Sequence, residues 1–208
     1  LDPHYGDTWR EIEQAGLNIM CKVPVALSPP TGATMARALG QLVPACVDAF
    51  EANRPDVVLL LGDRGEMLAG AIAAIHLNIP VAHIHGGERS GTVDESLRHA
   101  ISKLSHIHFT ATEDARERLI RLGERAVDVF VTGAPGLDGL REQAVPSRED
   151  VMINHGLDPN RPAALVLFHP VLQEAVTAKD QTRAIFHALD AAGWQSVALM
   201  PNADAGSD

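Results

Sequence analysis

Val57-Val58-Leu59-Leu60-Leu61-Gly62-Asp63-Arg64 is the stretch on which the fold turns. Five apolar residues in a row, β-branched at the start, have the pattern of a strand in a parallel sheet with both faces covered. Gly62 ends the run, and Asp63-Arg64 leads into Glu66 to Leu77, a helix whose alanines allow close packing on a sheet. Downstream the unit recurs: strand Val81 to Ile84, loop His85 to Thr92, helix Asp94 to Leu104, strand His108 to Thr110, helix Glu113 to Leu122, strand Val127 to Thr132. Upstream, Ile19 to Val23 reads as a strand and Ser28-Pro29-Pro30-Thr31-Gly32 as a loop. Met35, Leu39, Leu42, Cys46 and Phe50 then form one face of a helix, stopped by Asn53-Arg54-Pro55. Such βαβ alternation predicts an α/β protein with a doubly wound, mostly parallel sheet.

Gly133-Ala134-Pro135-Gly136 punctuates the chain, a short helix runs to Glu142, and Ala144-Val145-Pro146-Ser147 reads as a linker. A second series follows: helix Arg148 to Asn154, strand Ala163 to Phe168, helix Ala178 to Ala192, strand Ser196 to Leu199. Residues 1–143 are therefore expected to form one domain and residues 144–208 the start of a second, since two strands and their helices cannot enclose a core. The opening Leu1-Asp2-Pro3-His4-Tyr5-Gly6 is neither a signal peptide nor a methionine start, and a preceding segment is expected.

The chain has 208 residues, 46% hydrophobic and 21% charged, the composition of a globular and not a disordered protein. Seventeen bases against 27 acids leave a net charge of −10, so no basic footprint for nucleic acid exists. An anion would have to be held locally, by backbone amides, histidines and a few arginines. No apolar run reaches the length of a membrane span, the longest being Ala163 to Phe168. Cys21 and Cys46 do not form a disulfide framework or a zinc knuckle, which fits a reducing, cytoplasmic setting.

In open parallel sheets, ligands bind beyond the carboxyl ends of the strands. The residues just past successive strands are Gly62-Asp63-Arg64, His85-Gly86-Gly87-Glu88, Thr112-Glu113, Gly133-Ala134-Pro135, His169-Pro170 and Pro201-Asn202-Ala203-Asp204. They define one edge, expected to be a cleft between two domains. Asp63 sits at the mouth of a central strand, where a helix cap or a salt bridge with Arg64 is the bland alternative to chemistry. His83 and His85, two apart on a strand, are expected to point the same way, and Gly86-Gly87 to let a ligand approach the backbone. These histidines with Asp63 do not supply a convergent ligand set, so no metal is expected. Asp94 and Arg98 lie four apart on one helix face, while Glu95 suits the role of a helix-dipole partner. Paired carboxylates and an imidazole in one cleft are what proton transfer at a carbon or to a leaving oxygen requires.

These residues resemble a known family. Leu61-Gly62-Asp63-Arg64, His83-Ile84-His85-Gly86-Gly87-Glu88, Gly91-Thr92-Val93-Asp94-Glu95, Arg98-His99-Ala100-Ile101-Ser102-Lys103-Leu104-Ser105-His106 and Val131-Thr132-Gly133-Ala134-Pro135-Gly136-Leu137-Asp138 are similar to motifs of the hydrolysing UDP-N-acetylglucosamine 2-epimerases. The likeness is strongest to the branch that feeds sialic and legionaminic acid synthesis. Phe168-His169-Pro170 and Pro201-Asn202-Ala203-Asp204-Ala205-Gly206 resemble the second-domain motifs. The resemblance implies a GT-B architecture, two Rossmann-like domains with the nucleotide sugar between them. It also implies elimination of UDP with loss of the carbon-2 proton, then addition of water to give the free 2-epimer, with no cofactor. Its implied catalytic set is Asp63, Asp94, His85, Glu88 and His169, the last near the diphosphate. The implied substrate contacts are Arg64, Arg98, Gly86, Gly87, Gly133, Pro135, Asn202 and Asp204. Some members carry a glutamate where His85 stands, so His85 or Glu88 takes that role. A homodimer or homotetramer is the family habit. The family's opening strand would precede Leu1 and its diphosphate-gripping segment would follow Asp208, so the sequence is expected to be a piece of a longer polypeptide. A GT-B glycosyltransferase and a nucleotide-sugar-binding fragment without catalysis are the alternatives.

Overall fold

A computed structural model describes residues 6–170 and 172–200. The elements are α1 (Trp9–Gln14), α2 (Gly32–Ala52), β1 (Val58–Leu61), α3 (Gly65–His76), β2 (Val81–Ile84), α4 (Val93–Leu104), β3 (Ile107–Thr110), α5 (Glu113–Arg121), β4 (Val129–Val131), α6 (Leu140–Gln143), α7 (Arg148–Asn154), β5 (Ala163–Leu167), α8 (Ala178–Ala191) and β6 (Gln195–Leu199). They fall into two compact units, residues 1–134 and 135–208. The first holds a four-stranded parallel sheet in the order β1-β2-β3-β4, the second a parallel pair β5-β6. Among the described residues no helix is long and apolar enough to cross a membrane.

The core of the first unit is built on the apolar run that opened the sequence reading. Val58 and Leu60 pack with Ala71, Ala74, Ile79, Val81 and Ile101. The alanines of α3 are what permit this: Ala69, Ala71, Ala73 and Ala74 are at most 1% exposed, so the helix lies directly on the strands. Register carries one row across the sheet, Leu60 to His83 to His108 to Val129, and all four are buried. Two imidazoles thus occupy positions that a parallel sheet fills with aliphatic side chains.

Two expectations fail here. β1 is covered on one face only: Leu59 and Leu61 are 59% and 54% exposed. Among the described residues, α3 covers the face of Val58 and Leu60 and nothing of equal extent covers the other. Ile19 to Val23 is not a strand, because that segment joins neither sheet and so has no ladder to hold it extended. It runs beside α1 instead, a helix the sequence reading did not foresee, with Lys22 Nζ 3.0 Å from Glu13 Oε1 and over the Trp9 ring.

Short polar caps set where the helices begin, at the edge where the chemistry was expected. Thr92 and Thr112 accept the amides of Asp94 and Ala115 and so start α4 and α5. In the second unit Ser147 and Asp150 form a capping box on α7.

Candidate active site

Gly62 leaves β1 with φ +84°, a conformation glycine adopts without strain, and its N–H donates to the Ile84 carbonyl at 3.0 Å. The next residue, Asp63, is thereby delivered past the strand end. Its carboxylate accepts from Arg98 Nη2 of α4, 35 residues away, and not from Arg64. Arg98 Nη1 donates to the Glu88 carbonyl at 2.9 Å. One buried guanidinium, 8% exposed at its side chain, therefore ties the β1 turn to the loop after β2. Arg98 was a candidate substrate contact, but two arms of its fork are occupied by the protein itself. Arg64 instead stands at the N-cap of α3, its Nε 3.8 Å from Glu66 Oε2.

The loop after β2 is equally constrained. His85 takes φ +66°, in the left-handed region that non-glycine residues avoid, and this turns its ring away from the direction His83 follows. The expected common direction of the two histidines is lost for that reason: β2 ends at Ile84 and the alternation ends with it. His83 is fully buried, whereas His85 is 25% exposed with Nδ1 2.7 Å from Glu88 Oε1. A carboxylate accepts, so Nδ1 carries the hydrogen and Nε2 of the neutral ring is left as the acceptor. Gly86 and Gly87, expected to let a ligand approach the backbone, are both buried. A Cβ on Gly87 would lie 2.3 Å from the Ala115 carbonyl oxygen, and one on Gly86 2.8 Å from Ser102 Oγ. Glycine is needed there so that the loop can lie on α4 and α5. Arg118 of α5 secures it by donating to the Gly87 carbonyl.

The first turn of α4 holds Asp94, whose Oδ2 accepts from the Thr92 hydroxyl at 3.1 Å. Glu95 does more than face the helix dipole. Its Oε2 accepts the amides of Gly91 at 2.7 Å and Ser90 at 2.8 Å, and these bonds hold its carboxyl below the usual carboxylate range. Asp94, Arg98 and Ser102 recur every fourth residue and share one face of α4. Ser102 lies in one of the motifs that carry the family resemblance, with no role expected of it, and Arg118 lies in none; the signal for Ser102 was that spacing, whereas Arg118 left none. Burial pushes the His83 imidazole down to about 4, against a hydrogen bond to Gly62 that raises it, and burial also lowers His108.

The first unit thus brings together Asp63, Arg98, Glu88 and His85, with Asp94 on the helix that supplies Arg98. Gly133 follows β4 with φ +84°, and Pro135 opens a 3₁₀ turn in the second unit. His169 follows β5 of that unit and is exposed; Pro170 after it is buried. Asn202 and Asp204 lie outside the described residues. Among the described residues no three His, Cys, Asp or Glu side chains are grouped to hold a metal ion.

The first unit is thus of the open parallel α/β class, in which ligands bind beyond the carboxyl ends of the strands, where these ionisable groups lie. Residues 1–208 match the family model described as UDP-N-acetylglucosamine 2-epimerase, and the chain belongs to that family. It is 50% identical over 206 residues to the UDP-N,N'-diacetylbacillosamine 2-epimerase (hydrolyzing) of Legionella pneumophila, covering 99% of this chain and 55% of the relative. It is 36% identical to the UDP-N-acetylglucosamine 2-epimerase of Neisseria meningitidis, covering 98% of this chain and 53% of the relative. The chain thus spans about half the length of these relatives. Among solved structures, the Neisseria meningitidis UDP-GlcNAc 2-epimerase bound to UDP-GlcNAc superposes with a TM-score of 0.74 at 19% identity, covering 94% of this chain and 56% of that one. The Methanocaldococcus jannaschii enzyme in complex with UDP-GlcNAc and UDP gives 0.71 at 22%, covering 92% and 53%. At such identities the likeness is one of fold, the GT-B-like α/β fold, of which this chain carries a part.

Proposed function

We propose that the protein is a hydrolysing 2-epimerase, converting UDP-N-acetylglucosamine or a related UDP-2-acetamido sugar to UDP and the free 2-epimer, N-acetylmannosamine in the simplest case. The observation that carries this reading is the joined pair of clamps in the first unit: a carboxylate fixed by a buried arginine, and beside it an imidazole fixed by a carboxylate. In the first step a base takes the proton from carbon 2, the C1–O bond breaks, a C1=C2 double bond forms, and UDP leaves with the electron pair. In the second, water bonds to carbon 1 and a proton returns to carbon 2 on the opposite face. Two proton transfers at one carbon from two sides call for two groups. Asp63 and Asp94 share that work in our reading, and the His85–Glu88 pair supplies the role that a glutamate fills in other members. With Nδ1 bound to Glu88, His85 offers Nε2 as a base. We assign His169 to the diphosphate.

The name of the relative at 50% identity favours a sugar decorated at carbon 4 as a substrate. The test incubates the protein with UDP-N-acetylglucosamine and with UDP-N,N'-diacetylbacillosamine in deuterium oxide, without acceptor. UDP release together with a free 2-epimer deuterated at carbon 2 is the expected result. UDP release only on addition of an acceptor would instead make the protein a glycosyltransferase, and binding without release would make it a nucleotide-sugar-binding protein.

A further inference from the structure

His83 has no part in the chemistry above, yet every polar atom of its ring is committed. The residue is fully buried in β2, paired in register with Leu60 on one side and His108 on the other. Nε2 lies 2.7 Å from the Gly62 carbonyl oxygen and Nδ1 3.0 Å from Ser102 Oγ. A carbonyl only accepts, so Nε2 carries the hydrogen and donates it; Nδ1 is then the acceptor, and the Ser102 hydroxyl donates to it. The tautomer and the ring plane are both fixed by these two partners.

The place of the inner partner distinguishes this from ordinary satisfaction of a buried histidine. Gly62 is the turn residue directly before Asp63, and it is held from both sides: its N–H by Ile84, its carbonyl by His83. The outer partner, Ser102, sits one helical turn beyond Arg98, which holds the Asp63 carboxylate itself. Helix α4 therefore fixes Asp63 twice, once at the side chain and once through Ser102 and His83 at the backbone. Gly86 closes over the relay, because a Cβ there would meet Ser102 Oγ at 2.8 Å and His83 Nδ1 at 3.1 Å.

We propose that His83, oriented by Ser102, is a positioning residue that sets the Gly62 turn and thereby the placement of the Asp63 carboxylate; its catalytic consequence rests on the reading of Asp63 given above. The experiment compares Ser102→Ala, His83→Leu and His83→Gln in the full chain. Steady-state kinetics with UDP-N-acetylglucosamine, thermal unfolding and proton–nitrogen spectra are recorded for each. Glutamine keeps a neutral N–H donor for the Gly62 carbonyl; leucine keeps only the bulk. His83→Leu and Ser102→Ala are expected to lower kcat roughly 10- to 100-fold with KM within about twofold, as misplacement of a reacting group does. His83→Gln restores most of the kcat lost in His83→Leu, whatever its melting temperature. Equal kcat in the leucine and glutamine variants, or kcat that merely follows thermal stability, overturns the proposal. The spectra separate its failure from failure of the functional reading. If the wild-type chain releases no UDP, the activity reading falls, and the amide resonances of Gly62 and Asp63 decide the positioning claim. Displacement of both in Ser102→Ala, beyond that of β3, upholds the claim, and their persistence at wild-type positions refutes it.

Discussion

Acid should weaken the first unit through His83, by an amount that the burial of its ring sets. In the unfolded chain an imidazole titrates near 6.5; in the folded protein burial holds His83 at about 4, so the neutral form is the one that fits between Gly62 and Ser102. A depressed histidine is a group that the unfolded state protonates first. Stability is therefore full above about pH 6.5, falls as the pH drops toward 4, and levels off below that. The difference between the two values is worth on the order of 3 kcal/mol in full, of which about 2 kcal/mol is lost between pH 7 and pH 5. His108 acts in the same direction, because burial lowers it too, while Glu124 Oε2 at 3.4 Å from its Nε2 opposes the shift. Urea unfolding followed by far-ultraviolet circular dichroism at pH 7, 6 and 5 measures the loss, and the difference from His83→Gln isolates one group from the carboxylates that titrate alongside it. Wild type should lose about 2 kcal/mol more than the variant over that interval. Parallel curves for the two proteins would mean that His83 carries the same charge folded and unfolded, and the account of its fixed tautomer would fall with it.

Asp63→Asn should reduce UDP release by about 10²- to 10⁴-fold, the range for a group that moves a proton, while the circular dichroism spectrum stays that of the wild type. Glu88→Gln should lower kcat about tenfold or more, because an amide no longer dictates which ring nitrogen of His85 holds the hydrogen; nitrogen chemical shifts of the ring report the change directly. Gly87→Ala combines a φ of +83° with a Cβ 2.3 Å from the Ala115 carbonyl oxygen, and should cost about 2 to 4 kcal/mol in urea unfolding. A wild-type midpoint for that variant would show that the loop does not rest on α5 in solution.

Periodicity made most of the fold legible. From Val57 to Leu199 each strand and helix lies within two residues of its sequence reading, because alternating short apolar runs and helical faces specify local structure before any contact is known. Where a segment depends on a distant partner the reading failed. Ile19 to Val23 has strand-like residues but no ladder to join, and the outer face of β1 has the composition of a covered surface without the cover. The site shows the same division. Asp63, Asp94, His85 and Glu88 can be picked out as candidates because strand ends and helix starts are located from local pattern. Their partners cannot be, since Arg98 reaches Asp63 across 35 residues, beyond any local pattern. At Gly86 and Gly87 a packing constraint against α4 and α5 is added, invisible without those helices: a Cβ at either position would clash.

The energetic oddity of the first unit is that charged and polar side chains share its most buried layer with the apolar core. Arg98 is 6% exposed, its Nε has no hydrogen-bond partner among the described residues, and His83 and His108 fill positions in a sheet interior at 0% and 1%. Burying a charge and leaving one of its donors unpaired is unfavourable, and an apolar residue of similar volume in place of a buried ion pair is often as stable or more so. Stability alone therefore does not account for the arrangement. Three of its members share a different property: Arg98 ends on the Asp63 carboxylate and the Glu88 carbonyl, Ser102 ends on His83, and His83 ends on Gly62. Arg98, Ser102 and His83 are each bonded to a residue of, or next to, the two loops that carry the proposed acid–base groups. Hydrogen bonds fix orientation where apolar contacts fix only volume, so a polar layer beneath the strand ends holds a carboxylate and an imidazole in defined positions that leucines in the same places could not maintain.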